Sequence, residues 1–120
     1  LDPEDWRRVF AIDIDAVFLA CRVAIPLMRA RGGGAIVNTA SISGLGGDYG
    51  FSAYNAAKGA LVNYTRTLAV DHGKDRIRVN ALCPGYIDTP LAAPLKAIPG
   101  LVEAWLPQIP LQRVGTAEEM

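Results

Sequence analysis

The sequence predicts an α/β fold with a parallel sheet, because helical and strand patterns alternate along the chain. Apolar residues recur at helical spacing over residues 2–30, and three consecutive glycines end that helix. Residues 35–40 form a mostly β-branched run, which indicates a strand buried on both faces. A second long helix is expected over residues 52–72, closed by Gly73, and a second strand over residues 76–82. Two strands joined through a helix pair in parallel with a right-handed crossover.

The composition fits one globular domain and excludes several classes of protein. Apolar residues make up 51% of the 120 residues, which excludes a disordered chain. Twelve basic residues balance twelve acidic ones, so no net charge favours nucleic acid or an anionic membrane as a partner. No apolar run approaches the roughly 20 residues that cross a bilayer. The N-terminal residues also lack the basic and apolar regions of a signal peptide.

The two cysteines, Cys21 and Cys83, are far apart and fit no metal-ligand spacing, so no metal site is expected. Each has apolar neighbours in the sequence, which favours a buried free thiol. Free thiols are typical of a reducing compartment, and the sequence therefore predicts a cytoplasmic protein.

Polar residues follow each predicted strand, at the edge where parallel α/β sheets bind ligands. Ser41 follows the first strand, Pro84 and Gly85 follow the second, and Tyr54 and Lys58 begin the second long helix. Residues four apart share one helix face, so the lysine ammonium can approach the tyrosine ring. A nearby cation favours the phenolate form of a tyrosine, which can then exchange a proton with a carbonyl or alcohol oxygen. The serine hydroxyl can hydrogen-bond that same oxygen.

A tyrosine and a lysine four residues apart also occur as ordinary surface pairs on helices, so the whole set of motifs carries the prediction. Together the motifs resemble the short-chain dehydrogenase/reductase family. Residues 36–41 resemble the strand that ends in the family's catalytic serine, thirteen residues before the tyrosine. Residues 54–60 resemble its active-site helix, and residues 78–85 resemble the strand and loop that meet the nicotinamide. The resemblance implies that residues 1–120 form part of a Rossmann-like, doubly wound parallel sheet whose N-terminal strands are absent.

The resemblance also implies an activity and a role for each matching residue. The activity is hydride transfer between NAD or NADP and a small alcohol or ketone. Tyr54 is implied to be the general acid/base, Lys58 to hold the nicotinamide ribose and tune the tyrosine, and Ser41 to orient the substrate oxygen. Besides the tyrosine and the lysine, the implied cofactor-binding residues are Pro84, Gly85, Ile87 and Thr89.

One position departs from the family's pattern. The family usually has an asparagine in the first long helix, which links the active-site lysine to bulk water, and here the aligned residue is Asp13. One interpretation is a structural aspartate bonded to backbone or water, since a buried polar group needs a partner. The other is that Asp13 replaces the asparagine in the proton relay. An ionised carboxylate beside Lys58 would partly cancel the lysine's charge and work against phenolate formation.

The C-terminal third of the chain carries many prolines and is expected to form short helices and turns. In the family this region folds over the substrate, so residues 90–113 are interpreted as a substrate lid. Their apolar side chains favour an uncharged, partly hydrophobic alcohol or ketone, although ordinary core packing explains the same residues. The family also implies a homodimer or homotetramer formed through the two long helices.

The Gly-rich phosphate loop of dinucleotide-binding proteins is missing, because no glycine cluster has the spacing or context of G-x-G-x-x-G. In the family that loop lies in the N-terminal half, along with the residue that chooses NAD or NADP. The sequence is therefore expected to be a fragment, the C-terminal catalytic half. Its first strand would then have an unpaired apolar edge, and the piece alone is expected to be inactive and poorly folded.

Two rival functions stay open. A family member that has lost catalysis could act as a binding or assembly protein, but Ser41, Tyr54 and Lys58 are all intact. A related epimerase or dehydratase also uses a tyrosine and a lysine four residues apart, on a longer chain. The short spacing from the serine and the Pro84–Gly85 loop favour the dehydrogenase.

Overall fold

The first long helix begins as its residue types predict. The Asp2 carboxylate accepts a hydrogen bond from the Glu4 amide at 2.6 Å, and Pro3 takes the first helical position. The helix runs as α1 (Pro3–Phe10) and α2 (Ala16–Ala30), joined by a π-helical turn. The sequence predicts an uninterrupted α-helix here, and that prediction is wrong at residues 11–15. The apolar pattern continues on both sides of the turn and therefore does not reveal it.

The structure, a computed structural model, describes residues 1–120 and divides them into two units, residues 1–83 and 84–120. After the first helix, the elements of the first unit are β1 (Gly34–Thr39), a 3₁₀ turn (Ile42–Gly44), α3 (Ser52–His72), a second 3₁₀ turn (Gly73–Asp75) and β2 (Ile77–Leu82). The two strands pair in parallel, with Gly34 opposite Ile77 and Thr39 opposite Leu82. The predicted α/β fold with parallel strands is confirmed.

One face of the strand pair forms the core. On this face Ile36, Ile77 and Val79 pack against apolar side chains of α2 and α3. Asn38, also on this face, donates a hydrogen bond to the Thr65 hydroxyl of α3 at 2.9 Å. That bond satisfies a buried amide in the middle of an apolar interface.

The opposite face of the strand pair is open within this unit. Val37 of β1 points to that side and is 65% exposed. The prediction of a strand buried on both faces is therefore wrong for this chain. The physical reason is that both long helices pack on the same face, which leaves the β-branched side chains of the other face without a covering element.

The ends of the two long helices differ. The first ends at Gly32 and Gly33, which take φ angles of 85° and 139°, as the glycine run predicts. Gly73 does not close α3 by a left-handed turn, because its φ is −57° and a 3₁₀ turn continues the helix. The reversal comes three residues later, where Arg76 has a φ of 57°. The 3₁₀ turn tightens the helix end, which is a common way to satisfy the last carbonyls.

The second unit, residues 84–120, consists of short elements. These are β3 (Ile87–Asp88), α4 (Ala93–Lys96), α5 (Leu101–Trp105), β4 (Gly115–Thr116) and three 3₁₀ turns (Pro90–Ala92, Leu106–Gln108, Ala117–Glu119). The two short strands pair in parallel, and the Tyr86 ring packs edge-on against Trp105 with centroids 5.5 Å apart. The short helices and turns predicted for this region are confirmed.

The two cysteines have different surroundings. Cys21 is 3% exposed, and burial raises the pKa of its thiol. Cys83 is only half-buried, so the predicted burial is wrong for this residue, which packs at the margin of a small cluster of Ala40, Leu61 and Val62. Both thiols are free. None of the helices is long and apolar enough to cross a membrane.

Candidate active site

The first two turns of α3 carry Tyr54 and Lys58 on one side of the helix. The Lys58 Nζ lies 5.6 Å from the centroid of the Tyr54 ring, within the range of a cation–π contact. Ala53 and Ala57, on the buried side of the same turns, are 5% and 0% exposed. Their burial fixes the rotation of the helix, and with it the direction in which the tyrosine and the lysine leave the backbone.

The Lys58 ammonium joins three elements of the first unit. Its Nζ lies 2.9 Å from the Asp13 Oδ1 in the π turn and donates to the Thr39 carbonyl oxygen at the end of β1, at 3.2 Å. The lysine side chain is only 12% exposed, so these two oxygens replace most of the water that the ammonium gives up. The Thr39 carbonyl accepts one of the three ammonium hydrogens, and the Asp13 carboxylate compensates the positive charge.

Asp13 is the residue that departs from the family's pattern. It lies at the centre of the π turn Ala11–Asp15, and its side chain is 21% exposed. The carboxylate pairs with Lys58 at 2.9 Å and compensates part of the ammonium charge. π turns inside α-helices are frequent at functional sites.

Ser41 follows β1 and is 8% exposed. Its Oγ accepts a hydrogen bond from the Ser43 amide at 3.1 Å, which caps the 3₁₀ turn Ile42–Gly44. A hydroxyl has one donor and two acceptor positions. Because the amide uses an acceptor position, the hydroxyl hydrogen stays available to donate to a substrate oxygen.

Asn55 is a residue of this region that the sequence reasoning missed. Its Nδ2 donates to the Gly46 carbonyl and to the Asp48 carboxylate, both at 3.3 Å, and so ties the loop before α3 to the first turn of the helix. Its Oδ1 is buried without a hydrogen-bond partner. The only signal in the sequence is an amide placed beside a Gly-rich loop, directly after the tyrosine.

The structure thus brings Asp13, Tyr54 and Lys58 together, and it places Ser41 on a turn that packs against the same helix. The expected cofactor-binding residues Pro84, Gly85, Ile87 and Thr89 all belong to the second unit, where they form its first segment. Within that unit Ile87 pairs with Gly115.

Comparison with known proteins identifies the family. The whole chain, residues 1–120, matches the family model described as enoyl-(acyl carrier protein) reductase. It is 52% identical over 87 residues to meso-2,3-butanediol dehydrogenase of Serratia marcescens, covering 72% of this chain and 34% of that protein. It is 39% identical to 2-(R)-hydroxypropyl-CoM dehydrogenase of Xanthobacter autotrophicus, covering 98% of this chain and 47% of that protein.

A solved structure shares the fold. Gluconate 5-dehydrogenase of Burkholderia cenocepacia, in complex with NADP and tartrate, superposes with a TM-score of 0.95 at 28% identity, covering 99% of this chain and 47% of that one. The chain belongs to the short-chain dehydrogenase/reductase family. Its fold is the Rossmann-type α/β fold of that family, of which these residues form a part. The chain spans about half the length, or less, of the relatives described here.

Proposed function

We propose that the full-length protein is an NAD(P)-dependent oxidoreductase that interconverts an alcohol and a ketone. The observation that carries this proposal is the Lys58 ammonium, 5.6 Å from the Tyr54 ring, at the carboxyl end of two parallel strands. Ligands of open α/β sheets bind at that end. The relatives support the same class of reaction, since both curated proteins are named as dehydrogenases and the solved structure holds NADP.

Each residue then has a distinct chemical task. In the oxidative direction the Tyr54 phenolate takes the proton from the substrate oxygen, while a hydride leaves the substrate carbon. Ser41 donates its hydroxyl hydrogen to that oxygen and holds it in place. Lys58 stabilises the phenolate by its positive charge. In the reductive direction the tyrosine returns the proton to the carbonyl oxygen.

The residues present fit a nicotinamide cofactor. When bound, the nicotinamide supplies the hydride acceptor or donor. Lys58 would hold the ribose with an ammonium hydrogen that the Thr39 carbonyl leaves free. Pro84, Gly85, Ile87 and Thr89 remain the proposed cofactor-binding segment of the second unit.

We assign Asp13 to the proton relay in place of the family's asparagine. Its support is the 2.9 Å ion pair with Lys58, in a part of the first helix that departs from α-helical geometry. The carboxylate holds the ammonium in position, and as an acceptor it can connect the lysine to water at the margin of the site. The cost is a smaller field at the tyrosine, because part of the ammonium charge is neutralised.

We also propose a substrate lid and an assembly of two or more copies. Residues 90–113 lie within the second unit and are proposed to cover an uncharged, partly hydrophobic substrate.

On α2, Leu19, Val23 and Leu27 share one helix face and are 55%, 65% and 61% exposed, so we propose that this face binds a second copy of the protein. Sedimentation of a Val23→Arg variant tests the assembly, with Leu111→Arg in the second unit as control. An unchanged oligomer in Val23→Arg would contradict the proposed assembly.

We also propose a cytoplasmic location, which the two free thiols support.

The experiment that tests the function is a turnover assay on the full-length protein. Secondary alcohols, vicinal diols, their ketones and, to probe the alternative, a sugar nucleotide are offered with NAD and, separately, with NADP. We expect the oxidised and reduced forms of the nicotinamide cofactor to interconvert in equal amounts with the alcohol and the ketone. Cofactor binding without hydride transfer would favour the binding or assembly protein. Altered stereochemistry or loss of water from a sugar nucleotide, without net oxidation, would favour the epimerase or dehydratase.

A further inference from the structure

We infer that Gly44 is a positioning residue for Ser41, because only a glycine lets the turn after the serine lie on the backbone of the active-site helix. This inference rests on the proposed function, in which Ser41 orients the substrate oxygen. The relevant contacts all lie within the first unit, between the 3₁₀ turn Ile42–Gly44 and α3.

Two hydrogen bonds tie the turn to the serine. The Ser43 amide donates to the Ser41 Oγ at 3.1 Å, and the Gly44 amide donates to the Ser41 carbonyl oxygen at 2.9 Å. A third bond, from the Leu45 amide to the Ile42 carbonyl at 2.8 Å, closes the turn. A displacement of Gly44 is therefore transmitted to both the backbone and the hydroxyl of Ser41.

The turn touches α3 at the lysine of the site. A Cβ added to Gly44 would lie 2.6 Å from the Lys58 carbonyl oxygen and 2.7 Å from its carbonyl carbon, closer than real Cβ contacts. These are backbone atoms in a helix, which cannot rotate aside as a side chain can. Ala57 and Leu61 hold that part of the helix in place, since both are 0% exposed. The turn, and the serine with it, must move instead.

The neighbouring glycines do not share this constraint. A Cβ on Gly59 would lie 3.7 Å from the Gly44 carbonyl oxygen, an ordinary contact, and a Cβ on Gly47 would meet nothing within 4 Å. Neither residue has a positive φ. Alanine fits at both positions, and in the helix it is the better helix former. The steric demand in this region thus falls on Gly44.

The test is a double-mutant cycle in the full-length protein, with Ser41→Ala, Gly44→Ala, the double variant, and Gly47→Ala and Gly59→Ala as controls. We expect Gly44→Ala to lower kcat by about tenfold or more, while the KM for the nicotinamide cofactor changes by less than about twofold. The double variant should be no slower than Ser41→Ala, because Gly44 acts through the serine. The two controls should keep the kcat of the unaltered protein.

A second measurement does not depend on activity. Amide hydrogen exchange in Gly44→Ala should be at least about tenfold faster at residues 43–45, with the exchange of α3 unchanged. Any of four outcomes would overturn the inference. These are losses that multiply in the double variant, a kcat of Gly44→Ala equal to that of the unaltered protein, unchanged hydrogen exchange, and a Gly44→Ala protein that does not fold. If the unaltered protein transfers no hydride at all, the proposed function fails, and the exchange result alone decides the role of Gly44.

Discussion

Lys58 is the residue on which the site depends most, because its ammonium contacts groups from three elements. The Asp13 carboxylate at 2.9 Å and the Thr39 carbonyl at 3.2 Å hold it, and the Tyr54 ring lies 5.6 Å away. A cation held by a carboxylate stabilises a neighbouring phenolate less than a cation held by neutral groups. The departure at Asp13 therefore bears on the positive charge that Lys58 presents to the Tyr54 ring.

Substituting Asp13→Asn in the full-length protein should shift the pH dependence of the oxidative rate. Removing the carboxylate leaves the ammonium charge uncompensated and takes an ionisable group out of the proposed relay, so the dependence of the rate on pH should change. The measurement is kcat against pH for both proteins. Asp15→Asn, two residues along the same helix, serves as control and should leave the profile in place. An unchanged profile in Asp13→Asn would show that the aspartate has no part in the relay.

At this scale the sequence predicts the pair Tyr54–Lys58, because a spacing of four residues places two side chains on one face of any helix. The sequence does not predict the 2.9 Å ion pair between Asp13 and Lys58, since the distance between these two side chains depends on how the π turn packs against α3. The same holds for Gly44, whose constraint appears only when two segments touch.

Among the elements, the last turn of the second unit is held by an exposed group of polar contacts around Glu119. Arg113 donates to the Glu119 Oε2 at 2.9 Å, and the Thr116 amide donates to the same oxygen at 2.8 Å, which closes a capping box around the last 3₁₀ turn. The Arg113 hydrogen bond, with help from the Thr116 amide, lowers the pKa of Glu119 from 4.5 to about 2. These hydrogen bonds join Arg113 and Thr116, which precede the last 3₁₀ turn, to Glu119 at the end of that turn.

A depressed carboxyl pKa stabilises the folded form above the unfolded value and loses that effect as the pH falls. The contribution of Glu119 should thus be complete above pH 4.5 and disappear as the pH approaches about 2. Nuclear magnetic resonance of the Glu119 carboxyl in the full-length protein should show a midpoint near the lower value. Arg113→Gln should raise the midpoint without restoring it fully, because the Thr116 amide remains. As a control, Arg8→Gln removes an arginine that pairs with Asp5 in the first unit, and it should leave the midpoint unchanged. A midpoint that ignores Arg113→Gln would contradict the assignment.

The second long helix is the most predictable element. The bounds expected for the second helix, residues 52–72, match α3, because its apolar residues recur at helical spacing from cap to end. The predicted strands lie within one residue of β1 and β2, yet no pattern in the sequence indicates that β1 is covered on one face only. A β-branched run has the same appearance whether one or two layers cover it.

On the scale of the whole molecule, the strand pair is incomplete as a sheet. In the first unit β1 and β2 have only each other as neighbours, which leaves one edge of each strand unpaired. Val37 is 65% exposed on the uncovered face of this pair. Unpaired edges and exposed apolar faces favour association between chains. The proposed catalytic residues thus lie on a framework with open edges and an uncovered face.

A polypeptide of residues 1–120 on its own should therefore be inactive and poorly folded. The measurement is urea unfolding followed by circular dichroism, with light scattering to detect association. A broad transition and scattering above that of a monomer are expected, because the two-stranded sheet has no partner on its open face. A soluble monomer that unfolds in one sharp, cooperative transition would contradict this expectation.

The central claim is that Tyr54 exchanges the proton during hydride transfer, and one substitution tests it most directly. Tyr54→Phe removes only the hydroxyl, whereas Tyr64→Phe makes the same change two to three turns further along α3, among core side chains. Steady-state hydride transfer by the full-length protein should fall by about 10²–10⁴-fold in Tyr54→Phe, with cofactor binding retained. Tyr64→Phe should stay close to the unaltered rate. A Tyr54→Phe protein that turns over as fast as Tyr64→Phe would contradict the account.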